Sequence, residues 1–509
     1  MANPIALAIA VDRTAPARDL EIRPRQVKRW IESLPLGVTF ESGRHLARHL
    51  AAVNRATVDV DARLEILETH RQAAGPILAE LESMYSKADL PLGAAPRAAL
   101  GLARELLTEL ALGYRIATTE QSAKMLASRK QLGMLLQRAV QLTAARMYAA
   151  YKSYTPVPIG TWAELHELFI RADALGLARD PADGGTIADI YIEALMLSLT
   201  DPYRLGRGEA DRVLRRLHTH RGLATLGQAR PRTRPGGHFI VPCNTDKPPK
   251  PSIGKLDETG GPDWRLLDAN PVVDKLRATP ASVTKAKGIS EADLIAKLAK
   301  LWGDPPKRTS RRDPSENTVA ISMGLDGVGH FVALQSKIDL ARQDEQLRRG
   351  ITMPVMPLPM DPEDEPIPVF EWDVVNESKG GLRVRRLGRT EQPIAVGEVA
   401  GIKLPGKPHW AIGVVRWITV FDDGGMEFGL QYLASMARAV TVKAWGAPSA
   451  TGLLLADEDE QASTLLTTPN VYANQRELEL EDGSDAITVR PGDVVEVTQR
   501  FEIFRVKAP

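Results

Sequence analysis

Trp372-Asp373-Val374-Val375-Asn376-Glu377-Ser378-Lys379-Gly380-Gly381-Leu382-Arg383-Val384 is the stretch that decides the fold. Its two flanks alternate apolar and polar residues, as strands do. Its middle holds Asn, Ser and Gly, the residues turns prefer. The reading is strand, tight turn, strand, with Asn376, Ser378 and Gly381 forming the pattern N-x-S-x-x-G. Working outward, Arg308-Thr309-Ser310-Arg311-Arg312 gives R-x-x-x-R through Arg308 and Arg312. Thr318-Val319-Ala320-Ile321-Ser322-Met323 follows it as another alternating strand.

In that order the two motifs resemble the two-part ligand signature of PilZ domains, the bacterial receptors for cyclic di-GMP. The chemistry suits such a ligand, which offers phosphodiesters and guanine Hoogsteen edges. Arginine grips either one with a planar fork of donors. A hydroxyl, a short amide and a glycine on a facing strand add phosphate hydrogen bonds and let a bulky ligand approach the backbone. Val396–Ile402, Gly413–Ile418 and Phe428–Leu433 resemble the remaining PilZ strands, which include a G-x-V-R/x-W strand and end near G-hydrophobic-Q-F/Y. The resemblance covers residues 300–440. It implies an antiparallel β-barrel in which Arg308 and Arg312 wrap the ligand's guanines and phosphates from a flexible arm. It also implies that Asn376, Ser378 and Gly381 hold the ligand on the barrel face, with Arg311 as an auxiliary and Arg383 as a weaker one. The chain departs from the family in the spacing of the motifs. An insertion at 335–370 contains the helix-like run Ile338–Leu347 and a Pro-rich acidic stretch. Its Asp361, Glu363, Asp364 and Glu365 offer partners to the arginines when no ligand is present.

The chain has 509 residues, enough for two to four domains. Its 65 basic and 64 acidic residues leave a formal charge of +1, which argues against a general nucleic-acid binder. No direct nucleic-acid binding is expected. A local basic cluster for a small dianion remains: Lys307, Arg308, Arg311, Arg312, Lys379, Arg383, Arg385, Arg386 and Arg389. Cys243 is the one cysteine, so no intrachain disulfide forms and a reducing compartment is expected. The N-terminal apolar run lacks a positive n-region and does not read as a signal peptide. No apolar run approaches the ~20 residues a membrane helix needs. The expectation is a cytoplasmic protein without a membrane span.

The first part of the chain reads as helical. Leu64, Leu67, Ala74, Leu78 and Leu81 recur at helical spacing, as do Leu132, Leu135, Leu136, Ala139 and Leu142. Breaks are expected at Gly75-Pro76 (or a kink there), Pro91-Leu92-Gly93, Pro156-Val157-Pro158 and Asp180–Gly185. Trp162–Phe169 resembles the first helix of a tetratricopeptide repeat, but later positions do not match and no second copy recurs at a fixed period. A helical bundle or irregular solenoid over residues 15–228 results. After it, Pro and Gly punctuate the chain around a short strand, His238–Cys243. Ser290-Glu291-Ala292-Asp293 reads as a capping box opening a helix that leads to the arginine motif. Val440–Val442, Leu453–Leu455, Ala486–Val489, Val494–Val497 and Phe501–Val506 read as strands of a further small β unit.

The fold expected is therefore multidomain α+β, an all-α bundle or solenoid followed by a PilZ-like antiparallel barrel with a C-terminal β extension. The division is residues 1–230, helical; 231–299, a connector with a short strand and helix; 300–440, the barrel with its insertion; and 441–509, the extension.

Other motifs carry no chemistry. Gly401–Lys407 matches the start of a P-loop, but Pro408 replaces the Ser/Thr that binds Mg²⁺ and the segment joins two strands. It reads as a hairpin loop. His45 and His49 stand at metal-ligand spacing on a helix, without a third ligand and flanked by Arg44 and Arg48, which reads as a solvated basic face. His218 and His220 are similarly unsupported. There is no nucleophile elbow and no convincing carboxylate constellation, so a receptor is favoured over an enzyme. The expected function is a cyclic di-GMP effector that needs no cofactor and signals to a protein partner through its helical domain. Homo-oligomerisation is left open. The alternative is a PilZ-like scaffold of pilus or flagellar machinery that binds no nucleotide.

Overall fold

The computed structural model describes residues 7, 9, 11–181, 184–228, 236–252, 263–279, 291–304, 311–347, 367–444, 448–456, 464–472, 477–482 and 485–507. The chain divides into two compact units, Met1–Ala281 with Leu294–Lys307, and Ser282–Asp293 with Arg308–Pro509.

The first unit is built on α1 (Pro24–Ser33), α2 (Thr39–Asn54), α3 (Val60–Ser86), α4 (Ala94–Ser122), α5 (Arg129–Lys152), α6 (Thr161–Ala174), α7 (Ile187–Ser198) and α8 (Glu209–Thr219). The predicted stripe on α5, from Leu132 to Leu142, is buried. Close helix contact depends on small residues: a Cβ on Gly113 of α4 would lie 2.4 Å from Leu67 of α3 and 2.9 Å from Asn54 of α2. The break expected at Gly75-Pro76 does not occur, and α3 runs through Pro76 unbroken. Asp59 caps its start by accepting from the N–H groups of Asp61 and Ala62. Ala74, Ile77 and Leu81 are buried on either side of the proline. That burial offsets the backbone hydrogen bond proline cannot make.

The paired histidines also differ from the expectation. His45 is exposed, but His49 is half-buried. Its ring stacks on His70 at 5.0 Å, with Nδ1 3.1 Å from His70 Nε2 and Nε2 2.9 Å from the Glu21 carbonyl. Among the described residues no cluster of three or more His, Cys, Asp or Glu is arranged to hold a metal.

The Pro- and Gly-rich segment forms more than one strand. β1 (Thr225–Gln228), β2 (His238–Pro242), β3 (Lys250–Pro251) and β4 (Trp264–Asp268) make a sheet in the order β1-β4-β2-β3. α9 (Asn270–Arg277) and α10 (Glu291–Gly303) follow. Ser290, the expected cap of α10, lies outside the described residues. Buried Trp302 near the end of α10 donates its indole N–H to the Met196 carbonyl at 3.0 Å.

The second unit contains two antiparallel barrels. The first comprises β6 (Thr318–Met323), β7 (Phe370–Ser378), β8 (Gly381–Arg386), β9 (Val399–Lys403), β10 (Trp410–Val420) and β11 (Met426–Ala434), with a short preceding strand, β5 (Asp313–Pro314), added to β7. Its interior holds Val374, Val384, Phe428 and Ile418 in one register row, and Trp372 packs edge-on against Phe428 at 4.7 Å. α11 (Leu325–Leu347) leaves the end of β6. The Pro-rich acidic stretch with Asp361, Glu363, Asp364 and Glu365 lies outside the described residues.

The C-terminal extension is the second barrel: β12 (Met436–Ala444), β13 (Ala450–Ala456), β14 (Thr464–Thr467), β15 (Leu478–Asp482), β16 (Asp485–Val497) and β17 (Glu502–Lys507). Numbering each barrel's strands from its own first, both close in the same cyclic order, 1-2-3-6-5-4. Every pairing in both is antiparallel. The barrels share a buried cluster in which Val399, Ile412 and Val414 of the first meet Leu453, Leu466, Phe501 and Ile503 of the second, with Val328 and Val332 of α11 between them. The observed architecture is thus a helical region followed by antiparallel barrels.

Candidate ligand-binding site

The turn read from sequence is a two-residue hairpin, Lys379-Gly380, joining β7 to β8. Ser378 faces Gly381 across it and its hydroxyl donates to the Gly381 carbonyl at 3.3 Å. A register shift between Val374 and Asn376 places Asn376 opposite Arg383. Directly paired residues of an antiparallel sheet share a face. Asn376 and Ser378 therefore lie on the outer face, opposite the buried row that includes Val374 and Val384.

Gly381 has φ +152°, and a Cβ there would lie 1.9 Å from the Leu430 carbonyl oxygen of β11. The glycine lets β8 approach β11, so the motif's last residue serves the barrel itself. Beside it the Tyr432 N–H donates to the Gly380 carbonyl at 3.0 Å, tying the hairpin tip to β11. Burial, with the neighbouring Glu377 carboxylate adding to it, pushes the Tyr432 hydroxyl up to about 12.

The end of the first motif, though far from the second in sequence, lies next to a strand that pairs with it. β5 begins immediately after Arg312, and it pairs with β7 at Asp313 opposite Glu377 and Pro314 opposite Asn376. The end of the arginine motif is thereby held against the N-x-S-x-x-G strand. Arg311 and Arg312 are exposed, and Arg311 Nε lies 3.3 Å from Asp313. Arg308 and Lys307 lie outside the described residues.

Two register rows cross the face. One runs from Asn376 through Arg383 and Gly429 to Trp417. The other runs from Ser378 through Gly381 and Gln431 to Val414, which is already within the cluster shared with the second barrel. Gly429 is needed beneath the indole, because a Cβ there would lie 2.0 Å from Trp417 Nε1. Arg383 and Arg385 both donate to Glu427, whose side chain is only 4% exposed. Arg383 also lies over the Trp417 ring at 5.8 Å. A carboxylate with two guanidiniums fixes these side chains where they would otherwise be mobile. Arg416, at a register shift in β10, donates from Nε to Gln431 Oε1 at 2.7 Å.

Arg416, Trp417 and Gln431 were read from sequence only as parts of the strand patterns, and Glu427 was not noted; none was assigned to the site. The available signal was Arg416-Trp417 interrupting an apolar strand opposite Gly429. The face offers exposed arginines, a hydroxyl, a short amide, a backbone without side chains at two positions and an indole. That set suits a flat, phosphate-bearing ligand, because cations and hydroxyls take phosphate oxygens while the indole and guanidiniums take planar rings.

This barrel is that of a PilZ domain. Residues 238–350 and 358–439 match the family model described as "Cyclic-di-GMP receptor FimW, middle PilZ domain", and residues 25–231 match "Cyclic-di-GMP receptor FimW, N-terminal domain". The chain belongs to this family of PilZ-containing receptors. It is similar to the cyclic-di-GMP receptor FimW of Pseudomonas aeruginosa, with 25% identity over 477 residues, covering 82% of this chain and 78% of that protein. No solved structure matches the chain. Among the described residues no helix is long and apolar enough to cross a membrane.

Proposed function

We propose that the chain is a cytoplasmic receptor for cyclic di-GMP, binding it on the outer face of β7 and β8. Arg308 and Arg312 grip guanine edges and phosphates, with Arg311 as an auxiliary. Asn376 and Ser378 donate to phosphate, and Gly381 keeps the floor of the site flat. The observation that supports this reading is the pairing of β5, which begins directly after Arg312, with β7 at Glu377 and Asn376. Ordering of the arm around the ligand is the signal, and the helical unit passes it to a protein partner. The role is that of a receptor, not an enzyme.

The test is calorimetric titration of the whole chain with cyclic di-GMP, with GTP and cyclic di-AMP as controls. Saturable binding selective for cyclic di-GMP is expected, and Arg308→Ala with Arg312→Ala should abolish it while leaving the unfolding temperature unchanged. A flat titration of the wild-type chain refutes the reading and favours a scaffold. Unchanged affinity in the double variant refutes the site.

A further inference from the structure

The second barrel repeats the strand order of the first without its ligand motif. The counterpart of the β7–β8 hairpin is the connection from β13 to β14. Its sequence is Asp457-Glu458-Asp459-Glu460-Gln461-Ala462-Ser463, acidic and without N-x-S-x-x-G. Such a segment repels a dianionic ligand instead of gripping it. The second barrel does, however, supply an anion to the first. Glu496, on its fifth strand β16, forms a bidentate ion pair with Arg416 on the fifth strand β10 of the first barrel, with Nη2 2.8 Å from Oε2 and Nη1 on Oε1. The side chains are 24% and 29% exposed, so the pair is accessible to a competing anion. Arg416 Nε is meanwhile aimed by Gln431, which sits directly opposite Gly381 of the motif.

We propose that the second barrel is a ligand-free copy of the first that regulates its site, with Glu496 acting as a resident anion on Arg416 that a ligand phosphate displaces. This rests on the reading of the first barrel as the cyclic di-GMP site. A carboxylate and a phosphate compete for the same guanidinium fork, so the ligand must displace Glu496 before it can use Arg416. The shared core between the barrels keeps them joined while the pair exchanges. The exchange reports occupancy to β16 without separating the barrels.

The experiment is a double-mutant cycle on cyclic di-GMP affinity by calorimetry, using the full chain, Glu496→Gln, Arg416→Ala and the combination. Glu496→Gln, which keeps the side chain's shape, should tighten binding up to about fivefold by removing a charged competitor worth a surface-pair energy. Arg416→Ala should weaken it, and in that background Glu496→Gln should have no further effect. A control is Arg490→Gln, which breaks the pair with Glu477 (2.8 Å) within the second barrel and should leave affinity unchanged. If the wild-type chain binds but Glu496→Gln does not tighten it, or tightens it equally without Arg416, the regulatory proposal is overturned while the receptor reading stands. If the wild-type chain does not bind, the receptor reading itself fails.

Discussion

Replacing Gly381 with Ala separates what the hairpin does for the barrel from what it does for a ligand. The new Cβ would sit 1.9 Å from the Leu430 carbonyl oxygen, 2.9 Å from its carbon and 3.0 Å from Gln431 Cα. All three are main-chain atoms of β11, a strand pinned by β8 on one side and β10 on the other. No rotamer change relieves the clash, so a strand must move by more than an ångström. Overpacking of this kind costs about 1–3 kcal/mol. Holding a residue with a side chain in a sparsely populated backbone region, here φ +152°, adds about 1–3 kcal/mol. A total of about 4 kcal/mol in a unit of this size lowers its unfolding temperature by about 8–16 °C. Ser378→Ala is the matched comparison. It loses one half-buried hydroxyl whose bond to Gly381 is 3.3 Å long, worth at most about 1 kcal/mol. Differential scanning calorimetry with cyclic di-GMP titration reads both variants. Gly381→Ala should lose stability and binding together. Ser378→Ala should stay within about 4 °C of the wild-type unfolding temperature and bind about ten- to a hundredfold more weakly, the loss of one hydrogen bond to a charged group. An unfolding temperature for Gly381→Ala within about 2 °C of wild type would refute the argument that β8 and β11 are in contact through this glycine.

The helical unit yields two further expectations. Arg63 is fully buried, donating to the Val53 and Ala56 carbonyls at 3.0 and 2.9 Å and to Glu120 at 3.0 Å. A lysine cannot reproduce that fork, so Arg63→Lys should cost about 2–4 kcal/mol in urea unfolding followed by helical circular dichroism. A loss below about 1 kcal/mol would show the carbonyls at the end of α2 to be served by other donors. The unit should also weaken in acid. Burial lowers His70 to about 3 and also lowers His49 and His166. The His166 tautomer is fixed by donation to the Lys247 carbonyl at 2.9 Å, leaving Nδ1 facing the Tyr191 hydroxyl. With folded values below the unfolded value of about 6.5, the unfolded chain binds more protons, so this stability is fully present above about pH 6.5 and is lost as pH falls toward the folded values. The urea midpoint of the helical transition should be lower at pH 5 than at pH 7.5. An equal midpoint would refute the burial argument.

Much of the barrel was legible because its signals are local. Alternation marked β6, β7 and β8, and turn residues marked the hairpin at Lys379-Gly380, since strand faces and tight turns are set by neighbours within a few residues; β9, β10 and β11 were read from the family resemblance. The helices were legible for the same reason, except at Gly75-Pro76. There a local breaker was overruled by buried contacts on both sides, a balance that only packing decides. His49 shows the converse: its flanking arginines suggested solvent, and His70, on another helix, takes it into the interior.

By itself the sequence determined the class of fold, the order of its helical and β regions and where along the chain the two motifs proposed to bind ligand lie. Only the tertiary structure decided that β5, directly after Arg312, pairs beside Asn376, that Gly381 is demanded by the Leu430 backbone and that Trp417, Arg416 and Gln431 share the motif's face. It also decided that the C-terminal strands close into a second barrel with the order of the first. The physical reason is that strand identity is written in the strand, whereas register, closure and the partner across a sheet depend on hydrogen bonds between segments whose separation along the chain leaves no periodic trace.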